Sequence, residues 1–406
     1  MHYEKLFVGI DVSKHKHEVA VMTDEQKRIG KTFSIAESAS GFDQLRTKLL
    51  QLKEKHGTKR FYIGLEATGD YWKNLYHYLK NHGEEWQVTV INPFQTKHFA
   101  KSELRRAKTD PVDAQDIARF MAQKRPRATV CRGMISDAIK DLDRQMYAYR
   151  KLRTMALNKL HIELAKVAPE LEQATRGLAG SQMLALLASY PTAEAIAQAP
   201  VSELRQVRYS PRDYRLPEKF VKELKALCEN SIAYKKGVGS GYVVQSLVRQ
   251  ILAYQNEVKR LKTNIKELYS HITDSESLLC SIHSISKETA IVLEAYIGDV
   301  QRFPSAKQMV AYFGMNPVVN QSGKSTNRAS RLEKKGSGLV RHKLFMAVLN
   351  MIRQQAEPIY SYYKKLVDAG KPKLVAICAC MRKLLVIMYT MLKNQEPFNP
   401  KKHENR

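Results

Sequence analysis

Between residues 244 and 272 the apolar residues Leu247, Ile251, Tyr254, Val258, Leu261, Ile265, Leu268 and Ile272 fall at alternating steps of four and three. Only a helix gathers such positions into one stripe, and an unbroken stripe of this length is the pattern of a coiled-coil seam. Upstream, Ile139, Leu142, Met146 and Tyr149 keep the same rhythm, and Leu157, Leu160, Leu164 and Val167 resume it in shifted phase. The expectation is a helical coiled-coil region over residues 131–272. In it two long helices form an antiparallel hairpin, with a smaller helical insert at about 176–240. Such a seam serves either as a strut or as a surface for self-association into a dimer or tetramer. The cluster "GVGSGY" at 237–242 follows no strand and lacks a G-K-S/T ending, so it reads as a helix start or linker, not a phosphate loop.

Residues 1–130 have a different texture. "KLFVGIDVS", "KHEVAVM", "KTFSIAE", "RFYIGLEATG" and "WQVTVINP" are short apolar strand candidates. Two helical stretches, "GFDQLRTKLLQLKEKHG" and "DYWKNLYHYLKNHG", are interleaved with them. A hairpin meander followed by alternating strands and helices gives an α/β sheet of the ribonuclease H type, with a plain doubly wound sheet as the alternative. From 273 to 406 the chain reads as compact and all-α, around one polar basic stretch.

A chain of 406 residues is too long for one ordinary domain, and its formal charge of +27 calls for a polyanionic partner, most simply nucleic acid. No signal segment precedes the first strand and no unbroken run of about 18 apolar residues occurs. A cytoplasmic protein without a membrane partner is therefore expected. Cys131, Cys228, Cys280, Cys378 and Cys380 are odd in number, scattered and without a C-x-x-C pair. They indicate neither a disulfide framework nor a zinc site.

Against that positive charge, "AKTDPVDAQDIARF" at 107–120 places three aspartates at a helix start. One reading is capping, with Asp110 as N-cap, Pro111 as first helical residue and Asp113 as the acid of a capping box. The other is a metal site. Asp11 ends the first strand and Glu66 ends a later one. In a ribonuclease H-type sheet these strands are neighbours, and the helix adds Asp110 and Asp113. Taken singly, Asp11 is an ordinary turn residue and Glu66 a surface acid. Taken together, four carboxylates repel by several kcal/mol unless a hard cation with oxygen ligands joins them. Mg²⁺, with Mn²⁺ as substitute, is the expected cofactor. Two such ions about 3.5–4 Å apart would clamp the oxygens of a phosphodiester.

The stretches "FVGIDVSK", "LEATGDYW", "VINPFQTKHFAKSELRRAKTDPVDAQDIARF" and "AYFGMNPVVNQSGKST" resemble DEDD-type transposases of the insertion-sequence-one-ten family and the related site-specific DNA invertases. The resemblance implies a Holliday-junction-resolvase-like N-terminal domain whose four acids, matching Asp11, Glu66, Asp110 and Asp113, bind Mg²⁺. It also implies a C-terminal transposase domain with a nucleophilic serine, matching Ser322, and a partner subunit's acids completing the site. A structured guide RNA from the element would pair with donor and target DNA, in a bacterial or archaeal, nucleoid-associated setting. Ser325 is the competing serine. Lys324, Arg328, Arg331, Lys334, Lys335, Arg341 and Lys343 surround that loop, and Lys101, Arg105, Arg106 and Lys108 precede the acids. All eleven cations are candidate nucleic-acid contacts. One departure stands out: Ser284 and Ser286 in "SIHSISKETA" replace the glycines of a P-G-I-G hairpin turn. The enzyme alternative is a Holliday-junction or structure-specific nuclease using the acids with water, and a noncatalytic architectural protein is the alternative of another class.

Overall fold

Strands β1 (Lys5–Val12), β2 (Lys16–Met22), β3 (Phe33–Ala36), β4 (Arg60–Glu66) and β5 (Trp86–Ile91) form one sheet in the order β3-β2-β1-β4-β5. In the computed structural model, residues 2–83, 86–102, 109–129, 133–171, 180–209, 214–235, 238–273, 275–318, 331–333 and 336–403 are described. β1, β2 and β3 are an antiparallel meander, while β4 and β5 run parallel to β1. The meander rules out the plain doubly wound alternative.

The strands read as continuous apolar runs because both faces are covered. Helices α1 (Ala39–His56) and α2 (Trp72–His82) bury Phe42, Leu45, Leu75 and Leu79 against Leu6, Val8, Ile10 and Ile63. Helices α3 (Pro93–Ser102) and α4 (Asp110–Lys124) cover the other face, where Phe99, Ile117 and Met121 pack with Phe7 and Ile91. α1 stops at Gly57, whose φ of 61° is the left-handed conformation that glycine adopts without cost.

The chain divides into two units, Met1–Cys131 and Arg132–Arg406. In the second, α5 (Met134–Val167) lies along a later helix. The insert between them contributes α6 (Ser181–Ser189), α7 (Ala193–Gln198), α8 (Val201–Leu204) and α9 (Glu218–Glu229). The long partner is α10 (Tyr242–Ser270), entered through a 3-10 turn at Val238–Gly241, as the glycine cluster suggested. The pair runs antiparallel. Ile139 and Met146 share a core with Leu261 and Ile265, Leu160 and Leu164 share another with Leu247 and Ile251, and Tyr149 stacks on Tyr254 at 6.0 Å. The seam is thus filled within one chain, so self-association through that stripe would have to displace its own partner helix.

The two ends of this pair belong to different cores, so residues 131–272 are no separate domain. One core holds the insert; the other holds α11 (Lys287–Ile297), α12 (Ala306–Tyr312), α13 (Gly338–Arg353), α14 (Ile359–Asp368) and α15 (Lys373–Asn394). α15 is long and apolar enough to cross a membrane, although Arg382 and Lys383 break its apolar run. Here Cys380, Leu384, Leu385 and Met388 bury it in the protein core. Burial pushes the Cys228 and Cys380 thiols up to about 12, in keeping with a packing role. At the turn before α11, Ser284 adopts a φ of 71° and Ser286 caps the helix through Thr289 N. The left-handed backbone conformation that favours glycine is therefore adopted by Ser284 itself, between a 3-10 turn at Leu278–Ser281 and α11.

Candidate active site

Alternation along a strand places Gly9 and Asp11 on one face of the sheet, and Gly64 and Glu66 likewise. Which face is fixed by α4. A Cβ added at Gly9 would stand 2.2 Å from Ala114 O and from Ala118 N, and one at Gly64 would meet Met121 Cγ at 2.6 Å. Both glycines are there because the helix lies directly on them. Asp11 and Glu66 therefore point to the α4 side, and the pairing Gly9↔Gly64, Ile10↔Leu65 brings them to the same edge. α4 enters over that edge, with Asp110 and Asp113 in its first turn.

Lys16, the first residue of β2, marks the same place. Its Nζ lies 3.5 Å from Glu18 Oε1 and 4.0 Å from Asp110 Oδ2. Glu18 is a fifth acid that the sequence reading passed over. It pairs directly with Asp11 across β1 and β2, is 7% exposed, and accepts a hydrogen bond from Ser34 Oγ. The signal was its parity with Ala20 and Met22, both of which pack under α4.

The capping reading needs correction by one residue. Thr109, with φ of −146°, is the N-cap, and its carbonyl accepts from Val112 N and Asp113 N. Asp110 is already helical and its side chain is 60% exposed, so its carboxylate is not the cap. Asp116 is buried, 3.5 Å from Arg119.

Oxygen-only donors on one edge and one face are the right chemistry for a hard divalent ion. Among the described residues, however, no three His, Cys, Asp or Glu side chains stand close enough together to hold one. The residues fit a metal in type and in the edge they share, but not in their spacing.

Ser322, Ser325, Lys324, Arg328, Lys334 and Lys335 lie outside the described residues, as do Arg105, Arg106 and Lys108, and of Arg331 only the backbone is described. That backbone forms β7 (Arg331–Leu332), which pairs antiparallel with β6 (Pro317–Val318). The ladder joins the two ends of residues 319–330. Lys101 is exposed. Arg341 and Lys343 are turned inward. The Arg341 guanidinium donates to Phe313 O at 3.2 Å and Gly336 O at 2.7 Å, and burial lowers its pKa. Lys343 is 11% exposed and pairs with buried Asp143 at 2.6 Å. Both are engaged in holding the fold through these contacts, where the expectation had them face phosphates.

Residues 8–169 match the DEDD-type IS110 transposase family and residues 276–364 match the transposase IS116/IS110/IS902 family. The chain is 24% identical to the pilin gene-inverting protein of Moraxella lacunata, over 98% of this chain and 99% of that protein. An uncharacterized 44.8 kDa protein of insertion element IS116 from Streptomyces clavuligerus is 21% identical, over 98% of this chain and 97% of its own length. A 42 kDa protein of insertion element IS900 from Mycobacterium paratuberculosis is 23% identical, over 98% of both. With residues 8–169 and 276–364 matched and its relatives aligned nearly end to end, the chain belongs to the IS110/IS116/IS902 family of transposases, proteins of DNA transposition and recombination.

Proposed function

We propose that the chain cuts and rejoins DNA strands for excision and insertion of a mobile element, using a ribonuclease H-type acid site and Ser322 as nucleophile. The observation that carries this reading is the gathering of Asp11, Glu66 and the first turn of α4 at one edge of a β3-β2-β1-β4-β5 sheet. That strand order, with a meander on one side and parallel strands on the other, supports the ribonuclease H assignment.

Asp11, Glu66, Asp110 and Asp113 would hold Mg²⁺, or Mn²⁺ in its place. Such an ion, when bound, would supply stabilisation of the charge that develops on phosphodiester oxygens. Glu18 orients the Lys16 ammonium beside Asp110, tempering the mutual repulsion of the acids. Ser322 Oγ bonds to the scissile phosphorus as the P–O3′ bond breaks, and the hydroxyl proton passes by way of solvent to the departing 3′ oxygen. The 3′ hydroxyl of the strand to be joined then attacks the phosphoserine, re-forming a P–O3′ bond and returning the proton to Ser322. A serine hydroxyl needs such activation to react. Lys101, Arg105, Arg106, Lys108, Lys324, Arg328, Arg331, Lys334 and Lys335 supply backbone contacts. A guide RNA selects the DNA, and a homo-oligomer lets one subunit's acids serve another's serine, in the bacterial cytoplasm.

The test is a covalent-adduct assay. The chain is expressed with the DNA flanking its gene, denatured in SDS and probed for protein-linked DNA. An adduct lost in both Ser322→Ala and Asp11→Ala establishes serine chemistry supported by the acids. Cleavage without an adduct, unchanged by Ser322→Ala, would leave a nuclease that uses water.

A further inference from the structure

The second unit contains a cavity of about 600 Å³. Its walls include Lys140, Arg144 and Tyr147 from α5, Tyr296 from α11, Tyr312 from α12 and Ser337 at the start of α13. The volume lies in the range of sites for small organic ligands.

The chemistry of the walls narrows the occupant. Lys140 is paired with Asp137 at 2.7 Å, and Arg144 with Asp141, each one turn back on α5. The two cations are thus partly compensated, and the cavity is a poor trap for a bare anion. Three tyrosines offer flat apolar faces, and Lys140, Arg144 and the hydroxyls offer directed donors and acceptors. A ring with a polar edge meets both demands, as a nucleobase does. Tyr296 is 7% exposed, and among the described residues its hydroxyl has no hydrogen-bond partner of normal geometry, although Arg144 lies near enough to influence its ionisation. A buried hydroxyl left so costs stability until something in the cavity pairs with it. Beside it the first turn of the 16-residue helix α13, capped by Ser337 through Val340 N, presents backbone amides suited to a phosphate.

The cavity also sits at the root of the serine segment. Tyr312 leads through Phe313 into β6, and Gly336 and Ser337 follow β7. Arg341 ties the two sides together at Phe313 O and Gly336 O. A Cβ at Gly336 would stand 2.4 Å from Tyr312 O, so the two flanks meet closely.

We propose that this cavity receives one unpaired nucleotide, its base against the tyrosines and its phosphate at the first turn of α13. Seated there, the nucleotide fixes the register of the strand to which it belongs. This rests on the reading above only in giving the nucleotide a task; the binding itself is independent of the nucleophile.

The test uses the full chain and oligonucleotides carrying the fluorescent base 2-aminopurine at successive positions. They are prepared as duplex DNA with one unpaired nucleotide, single-stranded DNA and single-stranded RNA, with sequences from the DNA flanking the gene. The expected result is a change in emission at one position. Tyr147→Ala, at a residue 42% exposed, should abolish it and weaken binding roughly 5- to 100-fold, as loss of one base stack does. Tyr147→Phe should retain it, and Arg144→Gln should weaken it. A signal on DNA identifies the occupant with the strand being cut, and a signal on RNA alone with a guide; either supports the cavity. Equal emission at every position, or a signal indifferent to Tyr147→Ala, overturns it. The adduct assay separates the two ideas, since its failure would refute Ser322 while leaving the emission result standing.

Discussion

Substituting Gly9 by alanine should loosen the joint between β1 and α4. The new Cβ would stand 2.2 Å from Ala114 O and Ala118 N and 2.9 Å from Ala118 Cα. All three are main-chain atoms of one helix, so no side chain can swing aside. Restoring ordinary contact at about 3.4 Å requires the helix to retreat by roughly 1.2 Å from its 2.2 Å approach. Overpacking of a close core costs about 1–3 kcal/mol, and a clash with backbone belongs at the upper end. For a unit of this size that corresponds to a melting-temperature drop of roughly 5–15 °C. The same retreat carries Asp110 and Asp113 away from Asp11, and misplacement of about 1 Å at a reacting centre costs on the order of a hundredfold in rate. Thermal melting by circular dichroism reads the first effect, and the yield of protein–DNA adduct reads the second. Gly239→Ala is the control, because nothing among the described residues lies within 4 Å of its added Cβ. Were Gly9→Ala to melt within 2 °C of the parent and form adduct undiminished, the close seating of α4 on β1 would be refuted.

Three further outcomes are expected. Ser284→Gly should be more stable than Ser284→Ala by about 1 kcal/mol in urea unfolding, since the φ of 71° disfavours any Cβ and both changes remove the same hydroxyl contact to Gln354. Lys343→Met should destabilise by about 3–5 kcal/mol by stranding Asp143, whose side chain is 2% exposed. Adding Asp143→Leu should recover most of that loss, and no recovery would count against the ion-pair account. Burial alone would push the Glu288 carboxyl up, yet Lys266 at 3.0 Å, its own backbone amide and Ser286 hold it down to about 2. Because the folded value is depressed, its contribution is full above about pH 4.5 and is lost as pH falls toward 2. Lys266→Met should flatten the stability profile across that window.

The strands and the acid edge were legible because burial on both faces writes itself as unbroken apolar runs, and because acids at strand ends are visible as such. Glu18 was not, because recognising it requires the β1–β2 register, which sets it opposite Asp11. The start of α4 was misplaced by one residue, since Thr109 and Asp110 are both good caps and only the backbone angle at Thr109 decides between them. The seam from Leu247 to Ile272 showed its period plainly, but the same spacing serves a partner in the same chain or in another. Arg341 and Lys343 carry the charge of phosphate ligands in sequence. Their carbonyl and carboxylate partners, Phe313, Gly336 and Asp143, are brought to them only by folding.

The antiparallel run of α5 and α10 has an evolutionary consequence. The chain leaves at Val167 and returns at Tyr242 beside its point of departure, where Lys235 N donates to Lys166 O at 3.2 Å. What lies between is an excursion from a continuous two-helix stem, and the entropy of closing such an excursion grows only with the logarithm of its length. Lineages can therefore enlarge, trim or exchange it while Ile139, Met146, Leu261 and Ile265 keep their places in the other core. The stem separates a part free to diversify from a part held fixed.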